Sequence, residues 1–241
     1  MKQKNTTGCG KYGHSEFCLY FDDHIIDPWT KWFIDYLETS VQTEKYEDGQ
    51  TLQVGWMINL IKREGNELTV CEPDFESMPV QWTKSVSRTL SHLFLQKYVA
   101  ESVSLTQQLN FPRYIDTAIR CSEFGKSGVG FFINRLEPSP NNPRDSGWFL
   151  GCLNPEHDHN SRSNLSLVSL YEAATINKFI VPYLALPGLV NVIETGEPDQ
   201  FHLALEDREL TILPGSYLEL WLKDRKHRNM DFARSEWNSL N

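Results

Sequence analysis

The sequence predicts an α+β protein built as two small α/β-layered halves, each an antiparallel or mixed sheet with one or two packed helices. Three observations carry that reading. Apolar residues recur at three- and four-residue spacing in some segments and in short β-like runs in others. Glycine and proline punctuate the chain between these segments. Finally, 40% apolar and 12% aromatic residues over 241 positions are enough to bury a core in each half.

In chain order, a polar start leads to Glu16–Phe21, a short strand. Asp27-Pro28 then supplies an N-cap followed by proline at the first helical position. Trp29, Trp32, Phe33, Tyr36, Leu37 and Val41 fall on one face of a helix reaching about residue 43. Thr51–Ile61 and Glu67–Cys71 read as β, with Gly65-Asn66 able to supply the positive φ of a tight turn. Pro73 and Pro79 mark a loop, and Val86, Leu90, Leu93, Phe94 and Tyr98 mark a second amphipathic helix to about Val99. The mixed stretch Val103–Tyr114 is the expected join, giving halves 1–112 and 113–241.

Past the join, Ile115–Ser122 and Val129–Asn134 look like strands around a glycine-bearing turn, and Glu137–Arg144 with its three prolines is a loop. Trp148–Leu153 is the next strand, Leu165–Ile176 has helical spacing, and Leu189–Glu194 and Phe201–Leu205 are again strands. From about residue 223 the chain is a polar, locally basic tail, read as a frayed end or a peripheral helix.

Net charge is −9, divided evenly between the halves. A chain of this sign is repelled by phosphate backbones, so neither nucleic acid nor an anionic membrane is an expected partner, and a basic protein is. No run of about 18 apolar residues exists to span a bilayer. No apolar stretch precedes Cys9 to suggest a secretory signal, so a cytoplasmic location is expected. Five scattered cysteines, an odd number, suit reduced thiols.

A search for chemistry gives weak candidates. Gly125-Lys126-Ser127 ends like a phosphate-binding loop, but Arg120 stands where that loop needs glycine. Cys9, His14 and Cys18, and Cys152 with His157-Asp158-His159, have metal-ligand types without paired short spacings; they read as solvated loop residues, and no metal or cofactor is expected. Ser146 lacks the flanking glycines of a nucleophile elbow. Asp22, Asp23, Glu194, Glu197, Asp199, Glu206 and Asp207 are carboxylates that nothing marks as coupled. The expected class is therefore a binding protein and not an enzyme.

The second half carries Asp145-Ser146-Gly147-Trp148 opening a strand, then Val168-Ser169-Leu170-Tyr171, then Ile180-Val181-Pro182-Tyr183-Leu184-Ala185-Leu186-Pro187-Gly188. In this combination it resembles the thirty-third family of polymorphic-toxin immunity proteins, over about residues 115–210. Gly55-Trp56 and Glu72-Pro73-Asp74-Phe75 look like the region accompanying that domain in longer proteobacterial members. The resemblance implies an antidote to a secreted toxin, of the type VI kind, acting in the cytoplasm: a protein that binds the toxin and obstructs its active site. Family members tend to be more acidic after the Asp-Ser-Gly-Trp turn than Asn154–Asn160 is here, which implies a different toxin.

The motif residues suit structural roles, Asp145 capping a turn, Gly147 allowing close approach and Trp148 filling the core. Glu156, Asp158, Glu197, Asp199, Glu206 and Asp207, in expected loops or at strand ends, are the candidate contacts to a basic toxin. Two other classes remain open: a regulatory domain sensing a small ligand or metal through Cys152, His157 and His159, and a hydrolase with an unfamiliar site.

Overall fold

A computed structural model describes residues 1–126, 130–196 and 200–225. The chain divides into two compact units, Met1–Phe94 and Leu95 onward. The division falls inside a helix, ahead of the Val103–Tyr114 segment where composition places the join. Each unit combines a sheet with helices, and no helix among the described residues is long and apolar enough to cross a membrane.

The first unit contains β1 (Lys2–Asn5), β2 (Phe17–Phe21), α1 (Asp27–Ser40), β3 (Thr51–Val54), β4 (Met57–Glu64), β5 (Glu67–Asp74), β6 (Gln81–Thr83) and the start of α2 (Ser87–Ser102). The sheet runs β1-β2-β5-β4-β3, with β6 also on β5; β2 and β5 are parallel and the other pairs antiparallel. The polar start is thus a strand, because β2 offers it an edge at Lys2↔Phe21. The Thr51–Ile61 run breaks at Gly55, which has φ +60°, and swings Trp56 fully into the core. Helix α1 is capped one residue earlier than expected: Ile26 is its N-cap, while the Asp27 carboxylate lies 2.6 Å from Lys4 Nζ. Trp29, Phe33 and Leu37 are its buried face.

Helix α2 takes its N-terminal cap from another element. The Glu72 carboxylate of β5, 3% exposed, accepts the backbone N–H groups of Arg88 at 3.1 Å and Thr89 at 2.7 Å. Glu72→Ala leaves two first-turn donors without a partner, and a loss of about 2–3 kcal/mol is expected in urea titrations. Burial raises the Glu72 pKa above the ordinary carboxylate value. The stability tied to its protonation is therefore present at acid pH and fades as pH rises through the folded value. Glu72→Gln, which cannot ionise, should flatten that pH dependence.

The second unit continues from α2 into β7 (Thr117–Cys121), β8 (Phe131–Arg135), β9 (Asp145–Cys152), β10 (Leu165–Ser169), α3 (Leu170–Ile176), β11 (Val190–Glu194), β12 (His202–Leu205), β13 (Arg208–Glu209) and α4 (Tyr217–Arg225). The sheet order is β10-β7-β9-β8-β11-β12-β13, with β7 and β9 parallel and every other pair antiparallel. One expectation is corrected here. Leu165–Ser169 is an edge strand and not the first turn of a helix; the helix starts at Leu170, where the Ser169 hydroxyl accepts the Glu172 N–H at 3.1 Å. Ahead of the polar tail, α4 puts Leu218, Trp221 and Leu222 in the core. The rest of the tail, residues 226–241, lies outside the described residues.

One sheet face buries Trp148, Leu150, Ile133, Val190 and Val192, in a core completed by Leu170, Ala173 and Ala174 of α3, by Ile180 and Tyr183 of the short 3-10 turn Lys178–Tyr183, and by Leu184 just after it. The other face is largely open.

Candidate functional site

Two of the three motif segments of the second unit, Asp145–Trp148 and Ile180–Gly188, meet in one buried knot, and the third, Val168–Tyr171, begins on the strand paired with β7. Asp145 closes the turn into β9: one carboxylate oxygen accepts Gly147 N–H and the other Ser139 N–H, both at 2.9 Å. Gly147 has φ +76°, and a Cβ there would stand 2.1 Å from the Leu136 carbonyl oxygen. Trp148, 1% exposed, donates its indole N–H to the Leu184 carbonyl at 3.2 Å, tying β9 to the Pro182-Tyr183-Leu184 segment. The Ser146 hydroxyl donates to Thr117 O at 2.7 Å and accepts Trp148 N–H at 3.3 Å, and the residue is 2% exposed. It is committed to the scaffold.

At the centre is Arg135, a residue the sequence pattern did not single out. Its guanidinium is 3% exposed and donates to the carbonyls of Ser146 at 3.1 Å, Asn110 at 2.7 Å and Leu186 at 2.5 Å, while lying 5.6 Å from the Trp148 ring centre. Burial pulls its pKa down to about 10, still charged at neutral pH. Only the end of a strand gave Arg135 away in sequence, and such positions are usually exposed.

The acidic candidates separate. Glu156 and Asp158 are exposed on the loop after β9. Glu206 and Asp207 are exposed at the β12–β13 turn, both with positive φ. Glu197 and Asp199 lie outside the described residues, as do Ser127 and Val129. Glu194, read from sequence as an ordinary surface carboxylate, is 2% exposed and accepts Gly196 N–H at 3.1 Å and the Tyr183 hydroxyl at 3.4 Å.

The open sheet face carries an apolar row. Cross-strand partners place Leu167 beside Ile119, Ile119 beside Phe149, and Phe132 beside Ile193. Phe149 and Phe132 stack at 5.7 Å and close the row across five neighbouring strands, about 19 Å at ordinary strand spacing. Leu167 is 66%, Ile119 44% and Ile193 36% exposed.

At one end of this row the structure assembles a group the sequence scattered. Cys121 ends β7 and Cys152 ends β9, and because these strands are parallel neighbours their final residues come together. The loop after β9 adds His157 and His159. One ligand-type atom from each of the four lies within 4.8 Å of all the others. The Cys152 sulfur is 3.6 Å from His159 Nε2, and the two imidazoles stand edge to face at 4.7 Å. His159 also packs edge-on against Phe132 at 5.2 Å. The thiols are buried and the imidazoles half-buried, so these are not the solvated loop residues expected from sequence. Burial raises the Cys152 thiol, and burial together with His157 lowers His159, leaving that ring neutral at pH 7. Cys121 was missed because its role depends on which strands are neighbours.

The other sequence cluster does not assemble. His14 spends both ring nitrogens, one on Ser15 O at 2.6 Å and one accepting Tyr46 N–H at 2.9 Å. The Cys9 thiol faces the Thr6 hydroxyl at 3.4 Å, and Cys18 is 2% exposed within β2. All three are buried fold residues. A further ring, His92, is held between Trp56 and Phe75 and receives the Trp56 indole N–H at 3.2 Å. Burial and the nearby Arg88 lower its pKa to about 3, too low for a general base at neutral pH.

Comparison with protein-family models, with curated proteins and with solved structures finds no match to this chain.

Proposed function

We propose that this protein works by binding another protein, as an immunity protein that captures a basic secreted toxin acting in the cytoplasm and obstructs the toxin's active site. The observation that carries the reading is the apolar row Leu167, Ile119, Phe149, Phe132 and Ile193 on an open sheet face. Contiguous exposed apolar surface bordered by polar groups is the common mark of a protein interface. The exposed carboxylates Glu156, Asp158, Glu206 and Asp207 and the net charge of −9 favour a basic partner. The motif resemblance supplies the biological class. The motif's own serine and tryptophan are engaged in holding the unit together, which suits a scaffold better than a nucleophilic site.

Co-expression with the product of an adjacent toxin gene tests this directly: the two should co-purify, and the chain should restore growth to cells making the toxin. Leu167→Asp and Ile119→Asp, both at exposed positions, should weaken the complex by about 30-fold or more if the row is central to the interface, while leaving the melting temperature of the free chain nearly unchanged. Failure to co-purify, or turnover of a substrate by the isolated chain, would count against the proposal.

A further inference from the structure

We infer that Cys121, Cys152, His157 and His159 form a closed zinc site that fastens the loop 153–164 to the ends of β7 and β9. Two thiolates and two imidazoles make the donor set zinc prefers for four-coordinate structural sites, and four protein ligands leave no open position for a water or substrate. A tetrahedron with Zn–S of about 2.3 Å and Zn–N of about 2.0 Å has ligand atoms roughly 3.3–3.8 Å apart. The Cys152–His159 separation of 3.6 Å already falls in that range. The widest separation, within 4.8 Å, needs about 1 Å of side-chain adjustment.

A second observation points the same way. His157 Nε2 is buried and makes no hydrogen bond to the protein. Buried polar atoms are nearly always partnered, so an unpartnered ring nitrogen on one of the four clustered residues suits a cation. The backbone is also built to hold these rings. His157 N–H bonds Asn154 O at 3.1 Å, the Asn164 side-chain amide donates to Asp158 O at 2.9 Å, and Ser122 N–H, next to Cys121, bonds Asn164 O at 2.8 Å. The loop thus returns to the strand end that supplies the first ligand. The site is structural in character and stands whether or not the protein binds a toxin.

The test uses the full chain, expressed with added zinc and purified under reducing conditions without chelator, with metal content measured by mass spectrometry. The expected result is about one zinc per chain. Cys121→Ser, Cys152→Ser and the double variant His157→Ala/His159→Ala should each fall below about a tenth of that, while Cys9→Ser keeps it. The histidine pair lies on a loop, so its variant folds even if the cysteine variants do not. Cobalt in place of zinc should give thiolate charge-transfer absorption and the intense visible bands of a tetrahedral centre, absent from the histidine variant. A strong chelator should lower the melting temperature of the native chain and leave that variant's unchanged. A folded native chain with free thiols and no zinc would overturn the inference. So would zinc content insensitive to all three variants, or a Cys121–Cys152 disulfide in the reduced preparation.

Discussion

Arg135→Ala should be the most damaging single substitution in the second unit, lowering its stability by about 3–5 kcal/mol. Three carbonyls, from Ser146, Asn110 and Leu186, converge on the one guanidinium. Removing it strands the buried Ser146 and Leu186 carbonyls, each at a cost of about 1–3 kcal/mol, while exposed Asn110 can turn its carbonyl to water. Against this stands the recovered cost of burying a cation; among the described residues no carboxylate lies within ion-pair distance of Arg135. Burial lowers its pKa and so marks that cost, but the two buried acceptors outweigh it because they are lost together with the packing of the side chain against Trp148. At roughly 2–4 °C per kcal/mol for a unit of this size, the melting temperature should fall by about 10 °C or more. Arg135→Lys keeps the charge but lacks the planar fork that reaches three acceptors, and should recover only part of the loss. Arg135→Met is the stringent control. A methionine variant as stable as the native chain would mean that desolvation cancels the hydrogen bonds and that the knot is held by packing alone.

Gly147→Ala is expected to cost about 2–5 kcal/mol for two separable reasons. The backbone sits at φ +76°, which costs a side-chain-bearing residue about 1–2 kcal/mol. The new Cβ would also lie 2.1 Å from the Leu136 carbonyl oxygen, a backbone atom that cannot rotate away, adding about 1–3 kcal/mol of overpacking. The same strand pair is joined there by Leu136 N–H to Gly147 O at 2.9 Å, so relieving the clash loosens the β8–β9 connection. Gly215→Ala isolates the first reason. Gly215 has φ +73° and nothing within 4 Å of the added Cβ, so only the backbone strain should appear. Denaturant midpoints for the two variants should therefore differ; equal losses would show that the contact at Leu136 relaxes without cost.

Much of this architecture was legible without coordinates because it is set by neighbours in the chain. The helix over Trp29, Phe33 and Leu37, the hairpin at Gly65-Asn66, the proline loop over 137–144 and the Asp-Ser-Gly-Trp turn each follow from periodicity or turn chemistry within a few residues. Ser169 and Glu172, three apart, likewise carried the cue that the helix starts at Leu170, although the helical spacing of Leu167 masked it. Where pairing crosses long stretches of chain, local pattern is silent. It could not tell that a polar N-terminus would find an open strand edge, or that Arg135 would end inside the core.

By itself, then, the sequence determined the α+β class, most elements and the motif turn, since those depend on local backbone preference and on which residues are apolar. The tertiary structure alone decided that β7 and β9 lie side by side, which brings Cys121 to Cys152 across thirty residues of chain and leaves Leu167, Ile119 and Ile193 on an open face. The physical reason is that strand order is fixed by the best burial of the whole sheet, and no single segment contains that information.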